Sequence, residues 1–275
     1  MAPVKAGAKA AVFGAAGFIG RHLVEHLVDD GWDVRGFARG DESWRGEDLG
    51  QVFYCAGLTA DFRKRPFDAI AAHVSFAAEL LNQAQFDSFL YTSSTRVYAG
   101  AARAVETAGL SVDPNDPSDL YNLSKLTGEA ACLAHPNPAV RIARLSNVFG
   151  HDPGSDNFLN AVLREAARDG RVTMRTGPAS EKDFIAVEDV CRALAAIAAY
   201  GTERLYNVAA GRNTSNAEIA AALADAGIPV AYAPGAPTTG FPIIDVSRLR
   251  GLGVAPGRAV ARALPDLLAR MRAAV

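Results

Sequence analysis

An excess of charge of either sign is missing from this chain. Its 275 residues carry 28 basic and 30 acidic side chains, a net charge of −2 with a pI of about 6.2. That balance offers no general attraction to phosphate backbones or anionic lipid, so neither nucleic acid nor membrane is expected as a partner. Long apolar runs are missing too. No segment reaches ~18 uninterrupted apolar residues, and the opening "MAPVKAGAKAAVFGAAG" lacks the sustained apolar core of a signal peptide, so a cytoplasmic protein is expected. Cysteine is scarce: Cys55, Cys132 and Cys191 are far apart, odd in number and set among apolar or small residues without metal-ligand spacing. A disulfide framework and a metal site are both disfavoured, and buried thiols in a reducing compartment are expected. Repeats, low-complexity tracts and flexible linkers are absent as well.

What remains is a composition with 49% apolar and 21% charged residues, enough to bury a sizeable core. The length suits one large α/β unit with a minor lobe. Strand-like and helix-like stretches alternate from the start: "KAAVFG", then "RHLVEHLVDD" with Leu23, Val24, Leu27 and Val28 on one face, a stop at Gly31, then "DVRGFAR". "VFYCAG" follows, then a helix from about Ile70 to Gln85 turning Val74, Ala77, Ala78 and Leu81 inward, the strand "SFLYTSS", a helix beginning near Tyr121, and the strand "VRIARLS". This is the pattern of a Rossmann-type doubly wound parallel sheet. After about residue 150 it loosens into a helix, the strand "RVTMRTG", the segment "KDFIAVEDVCRALAAIA" and a helix whose capping box pairs Ser215 with Glu218. We therefore divide the chain into a dinucleotide-binding unit, 1–150, and a small substrate lobe, 151–275, partly interleaved with the first.

"AVFGAAGFIGRHLVEHL" places Gly14, Gly17 and Gly20 between a strand and an amphipathic helix. There glycine permits a tight turn, backbone approach to a pyrophosphate and close helix packing. At the end of the next strand a carboxylate would accept from both ribose hydroxyls of NAD, but the chain has Ala38 there and Arg39 after it, a residue able to pair with the 2′-phosphate of NADP. NADP(H) is thus favoured over NAD(H). Asp41 and Glu42 lie just beyond, and Arg39 as a plain solvated charge stays open.

In "YNLSK", Tyr121 and Lys125 stand four apart on a helix and share a face. A phenol titrates near ~10, so proton exchange at neutral pH requires its acidity to rise by several units, each worth about 1.4 kcal/mol. An ammonium ~4 Å away at an effective dielectric of ~20 supplies roughly 4 kcal/mol. Ser93, Ser94 and Thr95 end the strand "LYTSSTRVY" at the edge where open parallel sheets bind ligands, and a hydroxyl there can meet a substrate carbonyl or alcohol.

Taken together with "CAGLTA", "RLSNVFG", "KDFIAVEDV", "YNVAAG" and "DVSRLRGLG", these motifs resemble the successive landmarks of the extended short-chain dehydrogenase/reductase superfamily, the NAD-dependent sugar epimerases and dehydratases, over nearly the whole chain. The resemblance implies Tyr121 as acid and base, Lys125 as its electrostatic partner and Ser94 as the hydroxyl that polarises the reacting C–O group. It places dinucleotide contacts on Gly14, Gly17, Phe18, Ile19, Gly20, Ala38, Arg39, Ala56, Gly57, Tyr121 and Lys125. Substrate contacts fall on Thr59, Thr95, Asn147, Asn157, Phe158, Leu159 and Lys182. Plainer alternatives stay open: Asn147 as a turn cap, Phe158 and Leu159 as the start of a core helix, Lys182 as a solvated charge. The resemblance also implies a homodimer, paired through the tyrosine helix and the long helix before it.

Dehydratases of the group carry an acidic pair directly after the hydroxyl, where this chain has Thr95 and Arg96, so dehydration is disfavoured. With Arg39 in place of the NAD-selecting acid, the expectation is NADPH-dependent reduction of a keto-sugar nucleotide. The alternatives are NAD-dependent nucleotide-sugar 4-epimerisation, a ketoreductase acting on a non-nucleotide carbonyl, and, outside enzymology, an NADP-sensing protein. Sensors usually lose the tyrosine or the lysine, and both are present here. Two departures stand out. A dozen residues, "GDESWRGEDLGQ", separate the second strand from "VFYCAG", too few for the family's third strand and its adenine-contacting acid. Before "DVSRLRG" the chain reads "PGAPTTGFPII", without the arginine that clamps a diphosphate in many relatives.

Overall fold

The computed structural model describes residues 7–59 and 61–274. Strand β1 (Lys9–Phe13) runs into helix α1 (Phe18–Asp29), β2 (Asp33–Phe37) and β3 (Gln51–Tyr54). One helical rod follows in three parts: α2 (Pro66–Ile70), a π-helical turn (Ala71–Ser75) and α3 (Phe76–Gln83). Next come β4 (Ser88–Ser94), α4 (Leu120–Ala134) and β5 (Val140–Leu145). The remainder comprises β6 (Asn147–Phe149), α5 (Phe158–Asp169), β7 (Val172–Met174), β8 (Glu181–Ala186), α6 (Val187–Tyr200), β9 (Leu205–Val208), β10 (Asn213–Ser215), α7 (Asn216–Asp225), β11 (Val230–Tyr232), α8 (Ser247–Gly251) and α9 (Val260–Ala274).

Six parallel strands form the central sheet in the order β2-β1-β3-β4-β5-β9. The chain leaves β1 for the edge strand β2 and returns to β3 on the other side, so the strand order reverses between β1 and β3. A crevice opens there at the carboxyl ends of the strands. Helices α1 and α6 cover one face, burying Leu23, Leu27, Leu194 and Ile197 against Val12 and Leu90. The rod and α4 cover the other, where Tyr54, Phe89 and Tyr91 meet Leu80, Leu81 and Cys132. A second core lies among α5, α7 and α9. Both α6 and β9 come from beyond residue 150 yet belong to the main sheet layer.

Two helical faces differ from the sequence reading. Val28 is 54% exposed rather than inward, because α1 rests on the sheet through Leu23 and Leu27 while Val24 is half-buried. On the rod, Ala78 is exposed and Val74 half-buried, whereas His73 and Leu80 are buried. Ala77 and Leu81 are buried as expected, and the buried line runs through Ala69, His73, Ala77, Leu80 and Leu81, so Val74 and Ala78 flank it by one residue. Cys132 and Cys191 are buried and Cys55 is half-buried, all three unpaired, with burial pushing each thiol up to about 12. No described helix is long and apolar enough to cross a membrane.

Candidate active site

The glycine turn forms the floor of the crevice. Gly14 sits at φ +83°, a conformation that side chains resist, and a Cβ there would lie 2.8 Å from the Ala56 nitrogen across the reversal point. A Cβ at Gly20 would collide with the Gly14 carbonyl, so α1 packs directly onto the turn. Gly17 N–H donates to Gly14 O at 2.9 Å and caps α1 with no side-chain bond and no acid in the first turn. The first amides of the helix, at Phe18, Ile19 and Gly20, are therefore open to an anion. Gly57 continues the cradle after β3: a Cβ there would fall 3.1 Å from His73 Nε2 and 3.4 Å from Lys125 Nζ. With no side chains of their own, these closely packed glycine turns bring bare backbone to the crevice, which is what the pyrophosphate of a dinucleotide requires. Ala38 and Arg39 are exposed at the end of β2, and Arg39 has no ion pair among the described residues.

On α4, Tyr121 and Lys125 are both buried, at 4% and 5% exposure. Ser94 and Thr59 stand as hydrogen-bonding neighbours of the phenol. The Ser94 oxygen accepts from Arg96 N–H at 3.2 Å, which leaves its own proton free to point into the site. The structure thus brings together the three residues assigned to chemistry, but the electrostatics differ from expectation. Burial raises the phenol above its usual value of 10; the hydroxyls of Ser94 and Thr59 and then the guanidinium of Arg96 oppose it, and Lys125 is not among these influences. The Lys125 ammonium instead donates to Thr92 O at 3.0 Å and lies 5.2 Å from the centre of the Tyr91 ring. Burial lowers it to about 8, against the favourable pull of Glu129 and Cys55.

His73, not singled out by the sequence, braces this pair from the π turn. Leu58 N–H donates to its Nε2 at 3.1 Å, so Nδ1 carries the ring proton and donates to Ser124 Oγ at 2.8 Å; Ser124 in turn donates to Tyr121 O at 2.9 Å. Burial first and Lys125 second push His73 down to about 3, so the ring is neutral. One turn beyond Lys125 on the same face of α4, Glu129 accepts a bidentate pair from Arg144 at 2.9 and 2.6 Å and a bond from Ser93 at 2.5 Å. A buried pair this fully bonded fixes the helix on β4 and β5, and removing one partner would strand a charge.

The substrate side is met unevenly. Asn147 is exposed and donates to Asp183 O at 2.8 Å. Asn157 Oδ1 caps α5 by accepting from Asn160 N at 2.9 Å, and Leu159 lies in the second core at 3% exposure. The helix start thus engages the Asn157 side-chain oxygen, and the second core takes the Leu159 side chain. Phe158 is half-buried beneath the Lys182 ammonium, 5.2 Å from its ring centre, so Lys182 is not a simple solvated charge. Thr95 is buried at 3% as the first residue of a 3₁₀ turn, whereas Thr59 faces the phenol. Beside Tyr121 the structure adds Phe62, with ring centres 5.4 Å apart, and Arg96 above both rings. The sequence signal for Arg96 was its place two residues after Ser94; Phe62 has none beyond its aromatic ring.

A model of the NAD dependent epimerase/dehydratase family matches residues 10–209. Over 257 aligned positions the chain is 29% identical to a UDP-glucose 4-epimerase of Mycolicibacterium smegmatis, covering 78% of this chain and 81% of that one. It is 31% identical over 198 positions to a ceramide reductase of Caulobacter vibrioides, covering 68% of this chain and 59% of the reductase. Among solved structures, MoeE5 in complex with UDP-glucose and NAD superposes with a TM-score of 0.80 at 23% identity, over 97% of this chain and 99% of that one. RMD from Pseudomonas aeruginosa complexed with NADPH gives 0.78 at 21%, over 96% and 100%. Both share the fold.

Proposed function

The chain belongs to the NAD-dependent epimerase/dehydratase family, and from that premise we propose that it is a nicotinamide-dependent oxidoreductase acting on a nucleotide sugar, with 4-epimerisation as its net reaction. One observation carries the reading: Tyr121, Lys125 and Ser94 converge at the carboxyl edge of the sheet, beside the glycine turns at Gly14 and Gly57, each packed too closely to admit a side chain. Bound there, the nicotinamide would supply the acceptor and then the donor of a hydride. Tyr121 takes the proton of the reacting hydroxyl and returns it to the carbonyl oxygen once the opposite face of the sugar is presented. Ser94 donates to that same oxygen. Lys125 holds the cradle wall at Thr92, and His73 fixes the helix that carries the phenol.

The similarity to a UDP-glucose 4-epimerase supports epimerisation over the reduction expected from the sequence. Reduction with NADPH is the second reading, favoured by the exposed, unpaired Arg39 and by the likeness to a reductase. Three unpaired thiols support a cytoplasmic setting. The outward face of α3 and α4, with Ala78, Leu133 and Ala134 exposed, supports a homodimer.

The purified protein is to be incubated with UDP-glucose and either NAD or NADPH, with C4 epimer followed by NMR and reduced nicotinamide by absorbance. Epimer without net change in cofactor is the expected result. Tyr121→Phe should lower turnover by at least ~100-fold while cofactor affinity stays within about twofold, since the phenol's contribution is proton transfer. NADPH oxidation on keto-sugar nucleotides without epimer would establish the second reading instead. If a panel of UDP-, GDP-, CDP- and TDP-sugars gave neither binding nor turnover, the substrate class would be wrong.

A further inference from the structure

The guanidinium of Arg96 lies over two rings at once, its Cζ 5.4 Å from the centre of Tyr121 and 5.2 Å from that of Phe62. Arg63 lies over the same Phe62 ring at 4.6 Å. From the lobe side the Lys182 ammonium covers Phe158. Among the described residues, no carboxylate comes within 4.0 Å of the charged nitrogens of any of these three. Asp116 and Asp119 act on Arg96 electrostatically but are engaged elsewhere: Asp116 accepts from Ser118 N and Oγ, both at 2.8 Å, and Asp119 from Asp113 N at 2.9 Å and Asn122 Nδ2 at 2.8 Å. Of the guanidinium donors of Arg96, Nη2 reaches Ser118 O at 3.2 Å, and the rest have no acceptor among the described residues.

Burial first and Arg63 second hold the Arg96 guanidinium below its usual value, against the opposing pull of Tyr121, Asp119 and Asp116. Burial and then Arg96 do the same to the Lys182 ammonium, so like charges crowd this corner more than its acids offset. An arriving anion relieves both the repulsion and the empty donors. We propose that Arg96, supported by Arg63 and Lys182, is an anion subsite on the reacting side of the substrate, and that the sugar turned over carries a carboxylate on the same ring as the carbon facing Tyr121. This rests on the nucleotide-sugar reading given above. The guanidinium lies 5.4 Å from the centre of the phenol ring, so an anion held by its open donors belongs to the same part of the substrate as the carbon facing Tyr121. In a hexose reacting at C4, the carboxylate at C6 is two bonds away, while the anomeric diphosphate leaves from the far side of the ring. The planar fork of arginine also matches a carboxylate in two parallel bonds.

The test is a matched pair, UDP-glucuronic acid and UDP-glucose, titrated calorimetrically into the NAD-loaded protein and into its Arg96→Gln and Arg96→Lys variants. Wild type should prefer the acid by about tenfold or more, equal to about 1.4 kcal/mol. Arg96→Gln should bring the ratio close to one, and Arg96→Lys, which keeps the charge but loses the fork, should restore part of it. A structural role for Arg96 would weaken both ligands and leave their ratio alone, as would a role on the diphosphate; either outcome overturns the proposal. So does a wild type that binds both equally. If neither UDP ligand binds any form, the nucleotide-sugar reading is what fails. A millimolar malonate titration followed by thermal stability then decides the subsite, which is upheld if malonate stabilises wild type more than Arg96→Gln and rejected if it does not.

Discussion

Replacing Lys125 by methionine probes the electrostatics of the site through folding rather than turnover. The residue is 5% exposed, and burial lowers its ammonium from 10.5 to about 8. In the unfolded chain a lysine keeps its proton to about pH 10.4, so between about pH 8 and that value the unfolded state binds more protons than the folded one, and stability rises with pH. At about 1.4 kcal/mol per pH unit, holding the charged lysine costs the fold roughly 3 kcal/mol near pH 7 and under ~1 kcal/mol near pH 10. Methionine nearly preserves the volume and removes the charge. It also gives up the bond to Thr92 O, a loss of about 1.5–3 kcal/mol for a charged donor that offsets much of the gain at neutrality. The part that isolates the lysine is therefore the pH dependence: the stability of Lys125→Met minus that of wild type should fall by about 2 kcal/mol from pH 7 to pH 10. Urea unfolding followed by the fluorescence of the buried Trp32 and Trp44 measures it at each pH. A difference that is flat across this range, or that grows toward alkaline pH, would refute the argument.

The remaining predictions address the cofactor end and the brace beneath the phenol. Arg39→Asp should move the ratio of NADPH to NADH affinity toward NADH by about tenfold, read from fluorescence titration of each reduced cofactor, and an unchanged ratio would refute the role given to Arg39. His73 is pushed down to about 3, chiefly by burial and then by Lys125, while an unfolded histidine titrates near 6.5. Between those values the unfolded state again binds more protons, so stability falls as pH drops through the window. His73→Gln retains a donor and an acceptor without titrating, and its stability should decline less than that of wild type between about pH 7 and pH 4, by roughly 3 kcal/mol. Denaturant midpoints that run parallel for the two proteins would show that His73 is not the titrating group.

The elements that carry the fold were legible because each rests on a local signal. Alternating apolar strands and amphipathic helices announce a parallel sheet, a glycine triplet between strand and helix announces the turn, and Tyr121 and Lys125 share a face because four residues make about one helical turn. Other features depend on contacts between residues far apart in sequence. The helix read from about Ile70 to Gln85 begins at Pro66 in the structure, and nothing in its composition marks the π turn at Ala71–Ser75 or the burial of His73 within it. The destination of the Lys125 ammonium depends on a carbonyl 33 residues away, and the cation facing the phenol depends on Phe62 and Tyr121 meeting over Arg96. Asn157 is different. An asparagine directly before an apolar helix start is an N-cap signal, and that local role was legible beside the family likeness.

The short link between β2 and β3 bears on how selective the cofactor end can be. No strand forms within the link. Instead Trp44, 1% exposed, meets Phe13 edge-on with ring centres 6.4 Å apart, and Arg45 stacks 4.5 Å above the indole while bonding Gln83 at 2.6 Å and Glu79. One stacked pair thus ties the link to α3 and covers the sheet face there. The consequence for Arg39 is exposure: β2 is the sheet edge, and no neighbouring strand shields its carboxyl end from solvent. A lone guanidinium in water gains about 1 kcal/mol or less from a point contact, and about twice that from a forked bond to phosphate. Discrimination between the two cofactors on this chain is therefore bounded at roughly ten- to thirtyfold, well short of what a buried clamp delivers. A measured preference of a thousandfold or more would require a second group on the 2′-phosphate, from a part of the chain that lies away from the end of β2 in this structure.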